Sequence, residues 1–185
     1  MKIWKIAAAA AVAFLLYTIL KRKSQPPQYF TLSNINSRGT PPPPELQNNA
    51  QELADQLNII QDELFKIDPS YSVSITSSYR TPSHNADVGG VQNSWHLQAK
   101  AVDFKVQNMP AQEVHRFIMN LIDNGVILTG GVGQMANATH YDTGGTKKTW
   151  GYTTGSGSGT YGMEWKTAPA TIAPAGWIVE NSNEV

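Results

Sequence analysis

The chain's only imidazoles are His84, His96, His115 and His140, and it contains no cysteine. Thiolate nucleophiles, disulfides and sulfur-ligated zinc are therefore excluded, and any metal must be held by His, Asp or Glu. His96 precedes Asp103 by seven residues. Asp103 falls on the polar side of the stretch Ala101 to Val106, where Val102, Phe104 and Val106 form the apolar alternate. A turn between the two residues lets both side chains meet at one strand mouth. His140 lies in a glycine-flanked segment that reads as a neighbouring strand and offers a third donor. Two neutral imidazoles and one carboxylate suffice for a catalytic zinc, with the fourth position left to water. A surface histidine and a strand-edge aspartate fit the same spacing, so both readings stay open on these residues alone.

The surrounding elements must do the positioning. The chain has 185 residues, enough for one compact domain with appendages. Charged residues are only 15 %, and 14 basic against 14 acidic residues leave no net charge, which argues against a reader of nucleic-acid phosphates. Residues 1–23 read as an N-terminal membrane anchor. Lys2 and Lys5 precede the apolar stretch Ile6 to Leu20, Lys21, Arg22 and Lys23 close it, and residues 3–20 form the membrane contact. No small-x-small site follows Leu20, so an uncleaved anchor is favoured over a cleaved signal peptide. Basic residues on both flanks leave its orientation open.

Residues 24–44, with Pro26, Pro27 and Pro41 to Pro44, read as an extended tether. Residues 45–150 form the expected folded domain. Leu46, Ala50, Leu53, Leu57, Ile60, Leu64 and Ile67 make one apolar stripe of a core-facing helix that ends before Pro69. Tyr71 to Thr76 alternates as a strand, residues 78–95 read as a long loop, and Ala101 to Val106 alternates again. A second helix is expected from about Pro110 to Asn124, and a short strand over Val126 to Leu128 leads into Gly130-Gly131-Val132-Gly133. Residues 151–185 read as a Gly/Ser-rich, then Pro/Ala-containing, tail. Its GSGSG run lacks the Lys-Ser/Thr pair of a phosphate loop.

The order and neighbours of the candidate ligands add more. Ser77-Ser78-Tyr79-Arg80-Thr81-Pro82-Ser83-His84-Asn85 is followed by Ser94-Trp95-His96-Leu97-Gln98-Ala99-Lys100-Ala101-Val102-Asp103 and by Gly130-Gly131-Val132-Gly133 with Thr139-His140-Tyr141-Asp142-Thr143-Gly144. This ordered set resembles the zinc D-Ala-D-Ala carboxypeptidase and murein endopeptidase K-like family of peptidoglycan peptidases, phage-encoded members included. The resemblance covers roughly residues 45–150. It implies an α+β fold with a small antiparallel sheet carrying the metal site and helices packed on one side, here preceded by a single transmembrane helix.

The same resemblance implies Zn2+ as cofactor, with His96, Asp103 and His140 as its ligands, and a peptidoglycan peptide as substrate. Arg80 matches the arginine that binds a substrate carboxylate or the oxyanion, a task for which a planar guanidinium is suited. His84 lines the cleft or braces its loop. The chain departs from the family at Ala99, where glycine is usual, and a turn with negative φ would accept that change. It departs again at Asn137, where several relatives carry a carboxylate base three residues before the last histidine. Asp142 is the nearest remaining carboxylate and is expected to act as base or to orient His140. The activity implied is that of a membrane-anchored zinc peptidase, endopeptidase or carboxypeptidase, in cell-wall remodelling or in phage lysis or entry. Its catalytic head would face the cell wall or periplasm, or belong to a virion if the chain is viral. The alternative is a non-catalytic structural or peptidoglycan-binding envelope or virion protein that keeps fold and metal, and Asn137 is the feature that favours it.

Overall fold

The computed structural model describes residues 27–151. The expected anchor over 1–23 and the tail after residue 151 lie outside them. Among the described residues no helix is long and apolar enough to cross a membrane.

Helix α1, Gln47–Ile67, follows a 3-10 turn at Pro44–Leu46. Its stripe of Ala50, Leu53, Leu57, Ile60 and Leu64 is fully buried, as the three-and-four spacing predicts. Asp68 ends the helix with extended backbone, the conformation favoured immediately before a proline. Helix α2, Pro82–Asp87, and helix α3, Ala111–Asp123, are the other α-helices among the described residues. Helix α3 turns Val114, Phe117, Ile118, Leu121 and Ile122 inward. The strands are β1, Val73–Ser77; β2, Ala101–Val106; β3, Gly131–Gln134; β4, Thr139–Asp142; and β5, Lys148–Gly151. They form one sheet in the order β1-β2-β4-β3-β5.

Strand alternation divides the sheet into two faces. On one face Val102, Tyr141 and Val132 stand in register across β2, β4 and β3, and with Phe104 they join both long helices in a single core. On the other face a second register row runs from Ser77 through Asp103, His140 and Gly133 to Trp150. The residues singled out for chemistry therefore share the face turned away from the core.

Four sequence expectations are corrected. The sheet is mixed rather than antiparallel, because β5 pairs with β3 in parallel. A short return after β4 must run opposite to β4, and β3 already occupies that flank, so the returning strand meets β3 head to head. Part of the proline-rich stretch is not a tether: Phe30 and Ile35 are buried in the core. Asn58 of α1 ties this segment down, accepting from the Tyr29 and Phe30 amides at 2.7 and 2.8 Å and donating to the Phe30 carbonyl at 2.8 Å. The folded domain thus starts before residue 45. The loop of residues 78–95 contains helix α2, opened by Pro82 and capped by the Thr81 hydroxyl, and it leads into a 3-10 turn at Trp95–Gln98. No strand forms over 126–128, where Leu128 instead donates its amide to Gln56 of α1 at 2.8 Å.

Candidate metal centre

Asp103 and His140 come from paired strands and face each other directly. A residue opposite its partner in an antiparallel pair holds its Cβ within about 5 Å, and here His140 Nδ1 lies 2.8 Å from Asp103 Oδ1. The bulge between Ile75 and Ser77 brings Ser77 opposite Asp103. His96 arrives differently, from the 3-10 turn just before β2. Ser94 caps that turn, its hydroxyl accepting the His96 amide at 3.3 Å. Ala99 closes it in the left-handed region with φ +52. The expectation of negative φ at Ala99 is therefore wrong. A glycine would adopt this conformation freely, whereas a Cβ strains it.

Each donor's second polar atom is committed elsewhere. His96 is buried, and its Nδ1–H donates to the Ser78 carbonyl at 2.6 Å. This fixes the tautomer and leaves the Nε2 lone pair 3.3 Å from Asp103 Oδ1. Asp103 turns its other oxygen to Arg80, accepting from Nη2 at 2.6 Å, while Arg80 Nε donates to Ser77 Oγ at 2.9 Å. His140 presents Nε2 to Asp142 Oδ2 at 3.5 Å. Asp142 Oδ1 accepts the Gly144 amide at 2.8 Å. One donor atom each from His96, Asp103 and His140 gathers within 4.8 Å of the others. Two imidazole nitrogens and one carboxylate oxygen, each braced by an outer partner, fit the donor chemistry of zinc.

The electrostatics favour an ionised Asp103 and a neutral His96, whereas the carboxylates around His140 draw that ring towards its protonated form. Burial alone would raise the Asp103 carboxyl, but the hydrogen bonds and charges of His140 and His96 hold it well below the usual carboxylate range. Burial pushes His96 down towards the neutral form, with Asp103 pulling the other way. His140 is also penalised by burial, yet Asp103 and Asp142 together raise it. Burial opposes ionisation of Asp142, but His140 and the amides of Gly131 and Gly144 lower it.

Arg80 and His84 both border a cavity of about 680 Å³. Its far wall is built by Phe30, Ser33, Asn36 and Arg38, residues of the supposed tether. His84 also braces that wall, since its Nδ1 meets Ser37 Oγ at 2.8 Å. Asn137 is exposed in the turn between β3 and β4. His115 lies on α3, where its Nε2 meets Thr149 Oγ1 at 2.7 Å on the opposite side of the sheet from the metal ligands. The sequence reading missed two contributors: the Ser78 carbonyl, which carries no side-chain signal, and Trp150. The signal for Trp150 was present in Gly131 and Gly133. Two alternate glycines on one strand face require a bulky neighbour to fill the space.

Two imidazoles and a carboxylate, brought together from a turn and two paired strands, form a candidate site for a catalytic zinc. The family model for peptidase M15 matches residues 28–142, from just before Phe30 to the end of β4. The chain belongs to this family of zinc-dependent, D-Ala-D-Ala carboxypeptidase-like peptidases. No curated protein matches the chain.

Proposed function

We propose that the protein hydrolyses peptide bonds in peptidoglycan stem peptides or their cross-links, with His96 Nε2, Asp103 Oδ1 and His140 Nδ1 holding the zinc. The carrying observation is the convergence of these three donors while the other polar atom of each is occupied by Ser78, Arg80 or Asp142. Bound there, zinc supplies a Lewis acid for the scissile carbonyl and a water acidic enough to attack it. Arg80 fixes the Asp103 carboxylate and borders the cavity, where its fork suits a substrate carboxylate or the developing oxyanion. Asp142 is buried with both oxygens engaged and held as an anion, which suits a group that orients His140 better than one that takes a proton from water.

The cavity between Arg80, His84 and the 30–38 wall receives the stem peptide. The apolar stretch of residues 3–20 anchors the chain in a membrane, with the catalytic head towards the wall or periplasm. Asn137 supports a second reading, a module that binds peptidoglycan without cutting it.

Purified sacculi incubated with the zinc-loaded full chain separate the two. New muropeptides in the soluble fraction, absent with Asp103→Ala and after chelation, are expected. Sacculi that bind the folded, zinc-loaded protein yet release nothing would overturn hydrolysis in favour of the binding module.

A further inference from the structure

The family match ends at residue 142, but the register row that carries the metal ligands continues through Gly133 to Trp150 of β5. We propose that Trp150 is a positioning residue of the metal centre, its indole clamping the His140 imidazole in the orientation that ligation needs. This rests on the metal site described under the proposed function.

His140 has a defined neighbour on each side. Its two nitrogens face Asp103 and Asp142, and the His96 ring meets it edge-on with centroids 5.1 Å apart. The remaining side belongs to Trp150, whose ring centroid lies 5.1 Å away at an interplanar angle of 47°. Strand β3 lies between His140 and Trp150 in the sheet yet sends no side chain into this space. A Cβ on Gly133 would fall 2.5 Å from the indole Nε1, and one on Gly131 would fall 2.4 Å from Asp142 Oδ2 and 2.9 Å from the indole Cζ3. Neither approach is tolerable against a rigid ring packed on backbone. The two glycines thus form a bare floor across which the indole reaches the imidazole.

The strand that carries the indole is itself anchored. Its ladder to β3 runs from Lys148 to Gly151, and Thr149, pointing to the other face, meets His115 of α3. Trp150 is thereby held from below by backbone and from behind by a helix. A ring so placed restricts rotation of His140 about χ2. Outer partners of metal-bound imidazoles usually act through a hydrogen bond. This one acts through packing, and it comes from beyond the segment that the family model covers.

The test is zinc affinity, measured on the full chain by competition with a chromophoric chelator. Trp150→Ala and Gly133→Ala are each expected to weaken zinc by roughly 10–100-fold, the range found when outer partners of ligands are lost. Gly133→Ala keeps the indole and only displaces it, so it carries the test if Trp150→Ala does not fold. Because both act through the same contact, the double variant should be no weaker than Trp150→Ala alone. Trp150→Phe, which still covers the glycine floor, should stay within about threefold of wild type, a rescue below the 10–100-fold range. A folded Trp150→Ala or Gly133→Ala with wild-type zinc affinity would overturn the clamp even if its thermal stability fell. A folded wild type that binds no zinc would instead overturn the metal site and the clamp with it.

Discussion

His96 reaches the centre from a loop and His140 from a strand, and the two halves of the site are held by different physics. On the loop side the decisive partner is backbone: the Ser78 carbonyl fixes the His96 tautomer. Ser78 is in turn bound through its hydroxyl to Asn34 and Asn36, so the segment before α1 buttresses the loop. On the strand side the partners are side chains, Asp142 at the imidazole nitrogen and Trp150 against the ring. The loop half is thus fixed by the fold as a whole and is weakened through loss of the packing behind it rather than through a ligand's own side-chain partner. The strand half is fixed by individual side chains and should yield to it.

The largest effect that separates the halves is on the loop side and is one of stability. Ile35→Ala removes a fully buried side chain from the wall that supports Ser78 and should destabilise the domain by about 2–5 kcal/mol. Urea midpoints give the loss. Hydrogen exchange should rise at residues 94–99 more than in β3 to β5, and a uniform rise would erase the distinction. On the strand side, Asp142→Asn preserves shape but removes the anion behind His140, and zinc should bind about 10–100-fold more weakly. Ser78→Ala keeps the carbonyl that His96 uses and should leave affinity nearly unchanged. Equal losses in the two variants, by chelator competition, would contradict the comparison.

A smaller effect tests the loop's strain. Ala99 sits at φ +52, so Ala99→Gly should stabilise the domain by about 0.5–1 kcal/mol in chemical denaturation. Destabilisation would mean that the methyl contributes more by packing than its conformation costs. A pH-dependent effect of similar size concerns the anchoring of β5. Burial holds the His115 ring below its ordinary pKa of 6.5, so the unfolded chain takes up a proton that the folded chain resists. Stability from this group is fully present above that pH and is lost as pH falls through it. Between about pH 7.5 and about pH 5.5, zinc-loaded wild type should lose more stability than His115→Gln, by at most about 1.4 kcal/mol. Parallel losses would remove His115 from the account.

The same division decides what the sequence made legible. The apolar stripe of α1, the alternation of β2 and the ordered His, Asp and His residues state periodicity and chemistry directly; the structure buries the stripe from Ala50 to Leu64 and brings His96, Asp103 and His140 together. The wall at Phe30 and Ile35 was hidden because prolines on both sides give the segment a tether's composition, while its burial depends on a partner, Asn58, some 28 residues away. The parallel edge strand follows from strand order in space, which local alternation does not encode. Ala99 was misjudged because alanine gives no warning of a left-handed backbone. Trp150 was passed over because its meaning lies in the register with Gly133, not in its neighbours along the chain.

The most direct test of the central claim is the zinc content of the full chain after exhaustive dialysis, with wild type beside His96→Ala, Asp103→Ala and His140→Ala. One zinc per wild-type chain and none in any of the three folded variants is expected. Zinc retained at full stoichiometry in one of them, or absent from a folded wild type after it is added back, would contradict it.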